Sequence, residues 1–237
     1  RARRRRVRTA RPSATASRGI AAPMPLSAPA ARKHIHTREI TCQGYLREDG
    51  LWDIEGHVKD VKTYAFHNEW RGHMEPGDPI HDMWIRLTVD NDFRVHAVET
   101  TMDGTPYAIC GGVRPNFQRL VGERIKGGWR RRVKELLGGP QGCTHLVELL
   151  GPVGTVAFQT IRPYLRYLAK QQLEEGDEDT TTRRPWQIDT CYGWAADNEV
   201  VRRYLPEHYT GPASPAAAPG EPHGAAAADA AAESPES

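Results

Sequence analysis

Between residues 80 and 90 the chain reads IHDMWIRLTVD, and its apolar side chains fall on every second position. His81, Met83, Ile85, Leu87 and Val89 share one face, while Asp82, Trp84, Arg86 and Thr88 share the other. Residues 51–64 repeat the pattern, with Trp52, Ile54 and Val58 opposed to Asp53, Glu55 and His57. A period of two with one apolar face predicts strands of an antiparallel sheet that is covered on one side. Residues 35–46 form a further run, joined to 51–64 through REDG, where Asp49-Gly50 supplies the chemistry of a hairpin turn. A second hairpin is predicted from 80–90 and 94–104 across NDF, with residues 65–79 as a loop. Pairing of the second and third strands would bring Arg86 opposite Asp53 or Glu55 as a cross-strand ion pair.

After residue 104 the period lengthens. RPNFQRLVGERI and GWRRRVKELLGG read as helices, the second closed by Gly138-Gly139. A longer helix is predicted from Cys143 to about residue 172, bent near Gly151-Pro152 and broken at Pro163. EEGDEDTTTRRP reads as a charged loop, and WQIDTCYGWAADNEVVRRYLPEHY as a closing segment whose first part is extended. Strands followed by helices, without an internal repeat, imply an α+β fold: a small antiparallel sheet of two hairpins with helices packed on one face.

The ends differ from this middle. Residues 1–30 are rich in Arg and Ala, and 211–237 are almost entirely Ala, Pro, Gly, Ser and acid. Both lack the bulky side chains that offset ordering entropy, so disordered tails are expected around one domain at 31–210. The Arg-rich leader has the composition of a nucleic-acid arm or a transit peptide, but has no amphipathic period; Met24 is the expected start of translation. Setting aside the eight Arg of residues 1–23 and the four acids of the tail takes the formal charge from +2 to −2. A near-neutral core gives no electrostatic reason for a nucleic-acid partner, and no apolar run approaches the ~20 residues of a membrane span. Four Cys without a secretory signal imply reduced thiols in a cytoplasm.

Chemistry concentrates in GGPQGCTHLVELL. Cys143, His145 and Glu148 stand at the mouth of the long helix, where unpaired N–H groups and the helix dipole favour an anion. His145 and Glu148 are three apart and share a face. His81 ends an apolar strand face after the loop MEPGDP, with Asp82 beside it on the opposite face. His145, Glu148, His81 and Asp82 are therefore the candidate catalytic groups, with His145 or Glu148 as general base. None of Cys42, Cys110, Cys143 and Cys191 lies in a CxxC. If Cys110, Cys143 and Cys191 meet in space, they and His145 make a ligand set for zinc or iron. Each group also has a plain reading as a buried or locally hydrogen-bonded side chain. GxSxG, P-loop, GxGxxG and HExxH motifs are absent, which argues against the common hydrolase and nucleotide-binding architectures.

HTREITCQGYLREDGLWDIEGHVKDVK, HDMWIRLTVD, GGWRRRVKELLGGPQGCTHLVELL, AFQT and DTCYGW together resemble the bacterial family catalogued as domain of unknown function 2889. The resemblance spans most of residues 34–210 and implies no activity. The order from WIRLTVD through TPYAIC to GCTHLVELL is also similar to U-type iron–sulfur scaffold proteins, with Cys110 and Cys143 matching two of their three cysteines. The middle Cys has no counterpart, and His145 follows its Cys instead of preceding it. Three functions remain: an enzyme, lyase or hydrolase, acting on a small organic substrate; a metal- or cluster-binding accessory protein; and a binding module without chemistry.

Overall fold

The computed structural model describes residues 26–172, 185 and 187–212. Most of the leader, the charged loop and the tail lies outside them. The chain divides into two compact units, one up to residue 173 and one from residue 174.

The first unit is built on a four-stranded antiparallel sheet in the order β1 (His36–Leu46), β2 (Trp52–Lys62), β5 (Pro79–Val89), β6 (Val95–Gly104). The two expected hairpins are present, and β2 joins them by pairing with β5. Gly50 takes the first turn at φ +81°, a conformation that L side chains rarely adopt. Arg86 donates to Glu55 at 2.8 Å and to Glu99 at 2.8 Å on the outer face of the sheet, the cross-strand pairing expected of it. Residues 65–79 are more ordered than a loop: β3 (Phe66–Asn68) pairs with β4 (Gly72–Met74) in a small hairpin of its own. The Asn68 carboxamide accepts the backbone N–H groups of Trp70 and Arg71 and closes that turn.

Beyond the sheet, Ala108–Leu120 is a 3-10 segment in place of the expected helix there, with Pro115 inside it and Phe117 and Leu120 buried. Helix α1 (Trp129–Leu137) buries Trp129, Val133 and Leu137, one residue per turn. Helix α2 (Thr144–Gln172) runs without a break through Pro152 and Pro163, contrary to the break that the sequence suggests at Pro163. Each proline removes a single ladder hydrogen bond. The apolar stripe Leu146, Leu149, Leu150, Val153, Ala157 and Ile161 is fully buried and offsets that loss.

Two glycines set how α2 lies on the sheet. A Cβ at Gly56 would stand 2.6 Å from Val153 Cγ2, and one at Gly44 would collide with Thr160. Gly44 is paired with Ile54 across β1 and β2, so Thr160 lies over the Ile54 end and Leu149 and Val153 over Gly56. From Thr160 back to His145 the helix covers about 22 Å at 1.5 Å per residue. From Ile54 to Asp60 the strand covers about 20 Å. The first turn of α2 is thereby delivered to the Asp60 end of β2.

The second unit has its own small core of Ile188, Ala196 and Val201, with Trp194, Leu205 and Tyr209 packed on it. Helix α3 (Glu199–Tyr204) is capped by Asn198, whose side chain accepts the Glu199 N–H. The stretch expected to be extended is instead a turn followed by a 3-10 turn at Tyr192–Trp194. Asp189 adopts φ 63° and its carboxylate accepts the Ala196 N–H, which folds the segment back on itself. No helix among the described residues is long and apolar enough to cross a membrane.

Candidate metal centre

The alternation of β2 places Trp52, Ile54, Gly56, Val58 and then Asp60 on the face that α2 covers. Asp60 thus continues an apolar row, and its side chain is 1% exposed. A buried carboxylate needs partners, and the register provides them. Arg38 on β1 and His81 on β5 are its direct neighbours across the two strand pairs. Arg38 grips both oxygens, Nε donating to Oδ1 and Nη2 to Oδ2, each at 2.8 Å. His81 Nδ1 lies 2.9 Å from Oδ2, and His36 Nε2 lies 3.1 Å from Oδ1. A register shift at Asp60/Val61, opposite Pro79 and His81, marks a bulge where the pairing changes.

The first turn of α2 closes the cluster from above. The rings of His145 and His81 are 3.7 Å apart between centroids, tilted by 33°. Glu148 Oε2 accepts from Arg38 Nη1 at 3.0 Å. Cys143 Sγ lies 3.7 Å from His145 Nδ1 and 3.8 Å from Met83 Sδ.

Burial disfavours the charged form of Asp60, but the Arg38 fork, His81 and His36 outweigh it and bring its pKa down to about 2. As an ionised carboxylate Asp60 can only accept, so His81 Nδ1 and His36 Nε2 carry the protons in those bonds. Burial pushes the His81 pKa down, more than Asp60 raises it. For His145 burial again leads, helped by the neighbouring charges of His81 and Arg38. Two imidazoles held in the neutral form beside a carboxylate are the protonation states that a metal ion requires of its ligands.

Asp60, His81 and His145 each present a ligand atom within 4.8 Å of the other two. Bonds of about 2.1 Å to a shared ion put ligand atoms roughly 3–4 Å apart, a little closer than this limit. Two nitrogens and an oxygen suit zinc, iron(II) or manganese. Among the described residues this is the group of three that converges in this way.

The sequence-based candidates separate accordingly. His81, His145 and Glu148 come together. Asp82 points to the opposite face, where it accepts from His57 Nε2 at 2.7 Å. Cys143 touches the cluster through His145, whereas Cys110 is half-buried in the 3-10 segment and Cys191 is exposed in the second unit. Neither Cys110, Cys143 nor Cys191 belongs to the convergent group. Asp60, Arg38 and His36 were not read from the sequence as site residues. The signal for Asp60 was present, since the period of two continued past Val58 reaches a carboxylate on the apolar face.

A family profile described as a protein of unknown function, DUF2889, matches residues 36–159, slightly more than half of the chain. The match encloses every residue of the cluster and ends within α2. No curated protein and no solved structure matches the chain.

Proposed function

The chain belongs to the DUF2889 family, whose description states no activity, and we propose that it is a metal-dependent enzyme acting on a small organic substrate. The ion is divalent and bound by Asp60, His81 and His145. The observation that carries this reading is the convergence of one carboxylate and two imidazoles within 4.8 Å at the Asp60 end of β2.

Charge supports a cation. With Asp60 and Glu148 ionised, Arg38 protonated, and His81 and His145 neutral, these five groups hold one negative charge in excess, which favours a positive ligand. Three protein ligands on one side leave coordination positions open, the arrangement of catalytic rather than purely structural ions. An ion held by Asp60, His81 and His145 would supply Lewis acidity towards a substrate oxygen or water. Hydrolysis and the addition or elimination of water are the reactions this supports. Asp60 and the two imidazoles would hold the ion, and Glu148, 57% exposed and bonded to Arg38, lies beside them. The donor set fits an iron–sulfur cluster poorly, because such clusters are held mainly by thiolates.

The test is a turnover screen in a metabolite extract, followed by mass spectrometry. Protein loaded with zinc, manganese or iron(II) is compared with chelator-treated protein and with His145→Ala. A compound consumed by the loaded wild type alone is the expected result. Extracts indistinguishable across the three samples would contradict the reading.

A further inference from the structure

Asp60 is a candidate ligand whose acceptor sites are already taken. Oδ1 receives Arg38 Nε and His36 Nε2, and Oδ2 receives Arg38 Nη2 and His81 Nδ1. A carboxylate offers about four lone-pair sites, so an incoming ion reaches Asp60 only when a donor leaves. The three donors are not equivalent. His81 becomes a fellow ligand by turning a ring lone pair towards the ion. His36 makes a single hydrogen bond to Asp60, so its departure costs only that one. Arg38 carries a full charge 2.8 Å from both oxygens. An ion bonded to either oxygen at about 2.1 Å would face that guanidinium at close range.

Arg38 also has somewhere to go. Its Nη1 already donates to Glu148 Oε2 at 3.0 Å, its side chain is 35% exposed, and that of Glu148 is 57% exposed. Glu148 is on the first turns of α2 and Arg38 on β1, so the guanidinium bridges the two elements.

We infer that Arg38 is a built-in competitor for the metal ion: its fork holds Asp60, and on ion binding it withdraws from Asp60 onto Glu148. Arg38 is then a positioning and affinity-setting residue that touches neither ion nor substrate. It keeps the buried carboxylate charged and oriented, and it restricts occupancy to ions that bind carboxylate strongly enough to displace a bidentate guanidinium. This inference rests on the metal reading of the site, and its test separates the two.

The test is calorimetric titration of the full chain with manganese(II) alone, for wild type, Arg38→Gln, Glu148→Gln and the double variant. Arg38→Gln removes the competing charge, and binding is expected to tighten about ten- to hundredfold, the worth of a charge-assisted hydrogen bond. Glu148→Gln is expected to weaken binding when Arg38 is present and to leave it nearly unchanged in Arg38→Gln, since there is then no guanidinium to receive. Should Arg38→Gln fail to fold, Arg38→Lys carries the test: it keeps the charge, loses the fork, and is expected to bind more tightly than wild type. Equal or weaker binding by both Arg38 variants overturns the inference while leaving the metal site intact. So does a Glu148→Gln effect of the same size in both backgrounds, which would be simple charge attraction. Absence of binding by wild type and Arg38 variants alike overturns both readings.

Discussion

Asp60 is the residue on which the most depends. A carboxylate that is 1% exposed survives in an apolar row because Arg38, His81 and His36 together outweigh its desolvation and hold its pKa at about 2. Its ordinary value is 3.8, so on acidification the unfolded chain takes up this proton first. The stabilisation from Asp60 is therefore complete above pH 3.8 and is lost as the pH falls towards 2. It amounts to about 2 kcal/mol. Urea unfolding of Asp60→Asn should show the variant less stable than wild type at pH 5, with the gap closing by pH 2. A gap that stays constant over that range would mean that Asp60 is not held as a charged group. Much of this was legible. The hairpin turn at Asp49-Gly50 sets Arg38 opposite Asp60, and the period of β2 sets Asp60 inward. His81 as the second neighbour was only half legible: Arg86 opposite Glu55 carries the register without a shift to Asp60 opposite His81, whereas the equally open pairing of Arg86 with Asp53 does not.

At the scale of elements, the strands follow from their alternation with little loss. β2 and β5 bury the face that the period of two assigns to them, because one-sided burial penalises any slip of register. Helix α2 was legible in its start and extent but not in its continuity. Local proline chemistry argues for a break, and the burial of its apolar stripe on the sheet overrides it. Ala108–Leu120 shows the opposite limit: its residues have a helical spacing, yet Pro115 and the need to pack Phe117 and Leu120 leave it a 3-10 segment. The position of α2 depends on Gly56, where an added Cβ would meet Val153 Cγ2 at 2.6 Å and Leu149 Cγ at 3.0 Å. Gly56→Ala gains about 0.5–1 kcal/mol of strand propensity and loses about 1–3 kcal/mol to overpacking. Net destabilisation in urea is expected, together with weaker metal binding, because lifting α2 carries His145 away from Asp60. Unchanged stability and unchanged affinity would show that the helix is not located by this contact.

For the molecule as a whole, the first unit contains the entire main core and every residue of the cluster, and the second has a separate small core. The fold class was legible because it depends on the order of strands and helices, which local patterns report. The composition of the site was only half legible: His81, His145 and Glu148 stood out as chemistry, whereas a ligand set built on three cysteines required contacts between distant segments that spacing alone does not encode. The carboxylate–imidazole set and the thiolate set make opposite demands on the same protein. Elemental analysis of the full chain, reconstituted anaerobically with zinc or iron(II) and freed of loose metal, decides between them when applied to wild type, His145→Ala, His81→Ala and Cys143→Ser. The account predicts a stoichiometric ion in wild type and Cys143→Ser, and its loss from both histidine variants while the fold persists. A wild type without metal, or an ion lost with Cys143 and kept without His81, would contradict it.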